Sequence, residues 1–153
     1  MTKRTASCAR CAIHITARRA AATVSMCHCL QCQKRTGSTY CVHAYFARDA
    51  LVVTGPRSSY TRAGDMGCFI TFRFCPTCAS TTDWDVEAVP DVVGVPVGRF
   101  ADPEFTAPTV SIFMPHKHPW VAAPDGVPQN PGHSDGFLAA AKVTLHSRQT
   151  RSK

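Results

Sequence analysis

Residues 27–32 read Cys27-His28-Cys29-Leu30-Gln31-Cys32, three thiols within six residues, and residues 74–78 read Phe74-Cys75-Pro76-Thr77-Cys78. Near the start, Cys8-Ala9-Arg10-Cys11 repeats the Cys-x-x-Cys spacing. A two-residue gap lets one tight turn aim both sulfurs at a single ion about 2.3 Å away, with backbone N–H groups turned towards the thiolates. Two such knuckles around a three-cysteine cluster point to zinc. A redox dithiol would sit in a thioredoxin-like strand–motif–helix context, which this sequence lacks.

The chain carries nine cysteines, an odd number that argues against a disulfide framework where no secretory signal is evident. Seven of them are clustered, and seven divides into four plus three. A closed structural zinc site takes four ligands, whereas a catalytic site commonly takes three and keeps a position for water or substrate. In one division Cys8, Cys11, Cys75 and Cys78 share an ion and Cys27, Cys29 and Cys32 hold another. In a second, Cys29 and Cys32 pair with Cys75 and Cys78, leaving Cys8, Cys11 and Cys27. The first is preferred, because three ligands from one short loop need no long-range coincidence. Cys41 and Cys68 lie outside the clusters in alternating apolar segments and read as small buried hydrophobes.

Working outward from the cysteines, the pattern is mostly of period two. Tyr40, Val42, Ala44 and Phe46 share one face of a segment whose other face carries Cys41, His43 and Tyr45. Cys68, Ile70, Phe72 and Phe74 form a stripe leading into the second knuckle. Thr23–Met26 alternates into the three-cysteine cluster, and Ala12–Thr16, Ala50–Thr54, Val92–Val97 and Thr109–Met114 are also strand-like. Gly55-Pro56, Gly64-Asp65, Asp102-Pro103 and Asp125-Gly126 supply turns. Only residues 136–146 look helical, with a polar, basic stretch after them. The expectation is a mainly β, metal-stapled domain over residues 1–133 and a helical, basic tail over 134–153.

At 153 residues, with 44% hydrophobic and 18% charged residues, the chain has the size and composition of one globular domain. No apolar run reaches the length of a membrane helix, and His14, Arg18 and Arg19 interrupt any secretory core; the expected location is the cytoplasm. The formal charge of +7 is concentrated before Asp49. Basic residues are not interleaved with aromatics, which disfavours nucleic acid as a partner, and cations also offset the negative charge of zinc–thiolate sites.

With these motifs placed, the sequence resembles the glutathione-dependent formaldehyde-activating enzyme family, whose relatives include centromere-protein-V-like proteins. The resemblance is carried by Cys27-His28-Cys29-Leu30-Gln31-Cys32 with Arg35-Thr36-Gly37-Ser38, by Phe74-Cys75-Pro76-Thr77-Cys78, and by Val95-Pro96-Val97-Gly98, Asp102-Pro103, Pro119-Trp120, Asp125-Gly126-Val127-Pro128 and Pro131-Gly132. It implies a tent-like fold of several coiled antiparallel sheets stapled by two zinc ions. The structural ion would fall on Cys8, Cys11, Cys75 and Cys78, and the catalytic ion on Cys27, Cys29 and Cys32. The implied partners are a thiol such as glutathione and an aldehyde, with no membrane and with homodimerisation left open. Two departures stand out. The family's first motif is Cys-x-Cys-Gly where this chain has Cys8-Ala9-Arg10-Cys11-Ala12, and Ala79 replaces the usual glycine after the last cysteine. If that position needs a positive φ, alanine strains it by about 1 kcal/mol or more.

A zinc ion with three thiolates and a free position suits sulfur ligands, since coordination lowers a thiol's pKa. The expected activity is therefore a carbon–sulfur lyase that forms or cleaves the C–S bond of a small thiol adduct, like S-(hydroxymethyl)glutathione synthase. Arg35 and Ser38 are the candidate contacts for a substrate carboxylate. His28 is read as a hydrogen-bonding neighbour of the ligands, His116 and His118 as exposed loop residues, and Trp84 as core with the pocket as its alternative. The rival reading is a non-catalytic zinc module with a basic face, and the third a redox dithiol protein.

Overall fold

The computed structural model describes residues 3–141. The chain is mainly β, as the alternation predicts, with two sheets. Three short strands, β1 (Arg4–Ser7), β2 (His14–Ala17) and β5 (Leu51–Thr54), form a small antiparallel sheet in the order β1-β2-β5. The larger, seven-stranded sheet runs β10-β3-β4-β9-β8-β7-β6. Its strands are β3 (Thr23–Cys27), β4 (Cys41–Ala47), β6 (Ser58–Ala63), β7 (Phe69–Phe74), β8 (Thr81–Val86), β9 (Val92–Pro96) and β10 (Val110–Ile112). All its pairings are antiparallel except β10 with β3, which departs from the wholly antiparallel expectation. Thr109 ties that last strand in, donating from both its N–H and its hydroxyl to the Val24 carbonyl.

The main core lies where the two sheets meet. Ala6, Ile15 and Ala17 of the small sheet pack against Val24, Ala44, Phe46 and Val95 of the large one, with Phe100 beside them. Each large side chain buried here contributes about 1.5–3 kcal/mol of transfer free energy. A second cluster gathers around Trp84 with Cys68, Phe72, Val86, Val89 and Ala141. Ala141 ends the described part of a helix at residues 135–141, within the region expected to be helical; residues 142–153 of the expected tail lie outside the described residues.

The other helix, α1 (Leu30–Thr36), corrects the expectation that only the C-terminal end is helical. Its N-cap is Cys29, whose sulfur accepts the Cys32 N–H at 3.2 Å, a role commonly filled by Ser, Thr, Asp or Asn. It stops at Gly37, at φ +71°, whose N–H closes onto the Gln33 carbonyl, the left-handed C-terminal stop that glycine adopts without steric cost. Lys34 and Arg35 in the last turn complement the helix dipole.

Candidate metal centre and cleft

Both Cys-x-x-Cys knuckles are hairpin tips. Cys8–Cys11 lies in the turn between β1 and β2, and Cys75–Cys78 in the turn between β7 and β8. Docking the two sheets brings the tips together: the Cys8, Cys75 and Cys78 sulfurs lie within 4.8 Å of one another. Cys8 and Cys75 are buried, and Cys78 is half-buried. The Ala12 backbone N–H faces Cys8 Sγ at 3.3 Å, and Cys78 Sγ lies 3.3 Å from the Ser80 side-chain oxygen. Burial opposes ionisation of Cys8, but the backbone around Ile13, Ala12 and Arg10 and the neighbouring Cys75 lower its pKa. The Ser80 hydroxyl and then its backbone N–H bring Cys78 down to about 6. Thiols biased towards thiolate are the donors zinc requires.

Cys11 does not join this group. It is exposed, sits at φ +58°, and places its sulfur 3.9 Å from Ser7 Oγ. This is where the sequence departs from the family's shorter first motif. Ala79, the other departure, has φ +56°, so the strain expected of an alanine at that position is present.

The second group comes from one continuous segment. Cys27 ends β3, Cys29 caps α1, and Cys32 lies in the first turn of that helix; their sulfurs also lie within 4.8 Å of one another. The thiols thus gather as Cys8, Cys75 and Cys78 and as Cys27, Cys29 and Cys32, and the division pairing Cys29 and Cys32 with the second knuckle is not the one the fold makes. Within the second group Cys29 accepts from Cys27 and Cys32, which drives its pKa down to about 2. Cys27 is pushed up because its proton is shared with Cys29 and Cys32. Cys32, although favoured as a thiolate by Cys27, is held up to about 12 by Cys29 and by burial. Three thiols packed this closely cannot all ionise unless a cation joins them, and the donor set suits a soft or borderline metal such as zinc.

These three sulfurs lie in the wall of a cleft enclosing about 640 Å³ of non-atom space, part of it open to solvent. Arg35 reaches in from the last turn of α1. Its guanidinium lies 4.9 Å from the centre of the Phe72 ring and 5.2 Å from that of Trp84, and Nη2 is 3.7 Å from Cys41 Sγ. Arg62 covers the same Phe72 ring at 5.6 Å. Ser38, the other candidate contact, is exposed beyond α1 and is not among the residues lining the cleft. Trp84 belongs to both core and cleft. Cys41 and Cys68 are buried as expected, although Cys41 packs beside Cys27 and Cys32.

Two site neighbours were not singled out from sequence. His43 is buried, with Nε2 3.7 Å from Cys32 Sγ and Nδ1 3.3 Å from the Tyr45 hydroxyl. Burial, then the Arg35 charge, lowers its pKa to about 3, so the ring is neutral. Burial likewise raises Tyr45, which keeps its proton. The alternation of β4 put both on one face; that this face lines a cleft depends on the packing of β7, β8 and α1. His28 turns into the interior, fully buried with Nε2 3.2 Å from Ser111 Oγ. His116 is exposed as expected. His118 is half-buried, its Nε2 lying 3.0 Å from Gln33 Oε1 and tying α1 to the loop that follows β10.

A family model described as glutathione-dependent formaldehyde-activating enzyme matches residues 3–116. The chain belongs to that family. The glutathione-dependent formaldehyde-activating enzyme family thus accounts for both knuckles, the three-cysteine segment and every strand of the two sheets. The fold also resembles the crystal structure of a Rhodobacter sphaeroides protein solved as a structural-genomics target. That likeness has a TM-score of 0.51 at 21% identity, covering 65% of this chain and 91% of the other. No curated protein matches the chain significantly. No helix among the described residues is long and apolar enough to cross a membrane.

Proposed function

We propose that the protein is a zinc-dependent carbon–sulfur lyase that joins a small thiol to an aldehyde, or cleaves the resulting adduct, in the manner of S-(hydroxymethyl)glutathione synthase. The observation that carries this reading is the convergence of Cys27, Cys29 and Cys32 in the wall of a large cleft, with no fourth cysteine or carboxylate in their group among the described residues. Zinc held by these three residues would supply the positive charge that keeps a thiol substrate ionised near neutral pH. A second zinc would be held by Cys8, Cys75 and Cys78, and Cys11, whose sulfur lies by Ser7, would have to rotate its side chain to become a fourth donor.

The chain's own residues set the surroundings of the reacting sulfur. Tyr45 Oη lies 3.3 Å from His43 Nδ1 and His43 Nε2 lies 3.7 Å from Cys32 Sγ; with the tyrosine hydroxyl as donor, the ring would present its Nε2–H to the Cys32 sulfur. Trp84 packs against His43, Tyr45 and Phe72, and these rings line the same cleft as the Cys32 sulfur. Arg35 provides the nearby positive charge and holds a substrate carboxylate. In the forward direction the substrate sulfur forms a bond to the carbonyl carbon, its proton leaves to solvent, and the carbonyl oxygen takes up a proton; cleavage reverses each transfer. The test uses protein loaded with cobalt in place of zinc. Glutathione should shift the thiolate-to-metal absorption band, and zinc-loaded protein should speed exchange between formaldehyde and S-(hydroxymethyl)glutathione above the spontaneous rate. An unmoved band together with unaltered exchange would overturn the proposal.

A further inference from the structure

A one-carbon aldehyde would occupy little of the cleft. Past the three sulfurs its wall is apolar, formed by Ile70, Phe72, Val86, Phe113 and Phe137. A second apolar hollow of about 690 Å³ continues beyond Tyr45 and Phe137, which line both. Walls of this kind do not replace the water lost by a polar ligand, and each polar group left without a partner costs on the order of 1–3 kcal/mol. Glutathione brings two carboxylates, an ammonium and two peptide groups, so its sulfur can reach the site but it should bind more weakly there than a thiol with fewer polar groups.

The polar features of the wall are few and placed. Arg35 and Arg62 both lie against the Phe72 ring. Arg35 Nη2 faces Cys41, but Nη1 is buried and has no hydrogen-bond partner. Arg62 spends one Nη1 hydrogen on the Ala63 carbonyl at 2.9 Å. A guanidinium nitrogen that is buried and unpartnered is costly unless an acceptor arrives, and the planar fork of arginine matches a carboxylate. On the rim Asp65 is exposed and lies 3.8 Å from His133, which disfavours a second anion there.

We infer that the cleft selects a thiol, or thiol adduct, built as an apolar or aromatic body carrying a single carboxylate. The carboxylate lies between Arg35 and Arg62, and the body rests on Phe72, Ile70 and Phe113. This inference rests on the reading of Cys27, Cys29 and Cys32 as a thiol-binding zinc site. Arg62 is its specificity-determining residue, and Arg35 has a role beyond offsetting the charge of the thiolates.

The probes are 4-mercaptophenylacetate and the matching neutral amide, titrated into the cobalt-loaded protein and read by the thiolate-to-metal band. The acid should bind about tenfold more tightly than its amide and more tightly than glutathione, and Arg62→Gln should remove that tenfold preference, read as the ratio of the two affinities in the same protein. Arg35→Gln should do the same to the preference. If Arg35 only balances thiolate charge, its loss moves acid and amide equally. Equal affinity of acid and amide in the unaltered protein overturns the inference, as does a preference that survives both substitutions. Phenylacetate, which has no thiol, is titrated into metal-free protein and read by indole fluorescence, since Trp84 lines the cleft. Arg-dependent binding of phenylacetate with a silent cobalt band would sink the zinc–thiol reading and leave the carboxylate site standing; no response in either measurement would sink both.

Discussion

Gly94→Ala places a single methyl group where the fold has no room for it, and its effect can be worked out from position. Gly94 of β9 is the register partner of Trp84 of β8. A Cβ at this residue would lie 2.2 Å from Trp84 Cε2, 2.4 Å from Nε1 and 2.5 Å from Cζ2. An ordinary contact begins near 3.4 Å, so the indole must move by about 1 Å. It cannot do so freely. His43 is packed edge-on at 4.7 Å between ring centres, Phe72 at 6.0 Å, and the Arg35 guanidinium stands 5.2 Å away. Overpacking of this sort costs about 1–3 kcal/mol, which for a chain of this length is a fall in Tm of about 2–12 °C. Because His43 and Arg35 both pack against the indole, its displacement should lower thiol affinity as well. Zinc content should not change, since the clustered cysteines stand on other segments. The assay is thermal unfolding of the zinc-loaded protein with metal content measured alongside. Gly98→Ala serves as the control, because nothing lies within 4 Å of a Cβ at that glycine. A Gly94→Ala protein that unfolds at the temperature of the Gly98→Ala control would refute the reasoning.

Two further outcomes follow from backbone and charge. Ala79→Gly should stabilise the zinc-loaded protein by about 0.5–1 kcal/mol, because relief of the left-handed conformation at φ +56° outweighs the greater freedom glycine gives the unfolded chain; Ala79 is exposed and loses no packing, so an unchanged or lower Tm would count against this. Burial opposes ionisation of Asp85, but hydrogen bonds from Arg73 and Arg48 lower its folded pKa below the usual value. Its stabilising effect is therefore fully present above the unfolded pKa of about 3.9 and is lost as pH falls through the lower folded value. The Tm difference between wild type and Asp85→Asn should be constant above about pH 5 and close on acidification; a gap that stays constant to pH 2 would contradict the ion pairing. Metal loss at low pH acts on both proteins, so their difference isolates the carboxylate.

The parts of the fold that could be read in sequence are those whose signal is local. Alternation exposed β4 and β7, and β9 was legible as a short strand-like apolar run whose central residues are all buried. It passed over β8, whose sequence Thr81-Thr82-Asp83-Trp84-Asp85-Val86 puts two carboxylates in a sheet. Asp83 is almost fully buried and is tolerable there because Arg57 and Arg73, from other strands and loops, and the Thr82 hydroxyl all bond to it. Edge strand β6 carries no apolar stripe, since most of its residues face solvent. The cysteine spacing revealed both thiol groups but not the outward turn of Cys11. Arg35 was a candidate from its place after Cys32, whereas Arg62 and His43 become site residues only when β4, β6, β7 and α1 converge on one cleft.

The two thiol groups have different relations to folding, which bears on what each can do. Cys27, Cys29 and Cys32 span six residues, and the N–H of Cys32 already points at Cys29 once the first turn of α1 forms. Bringing them together closes a very short loop, so this group can assemble early and remain accessible from the cleft. Cys8 and Cys75 are 67 residues apart and meet only when hairpins from two sheets have docked. Closing so long a loop carries a larger entropic cost, and an ion bound there returns its binding free energy to the docked arrangement. A metal joining two hairpin tips is therefore positioned to hold the sheets together. One held by a strand end and a helix start needs no such support, and its surroundings are free to be shaped by what the cleft must bind.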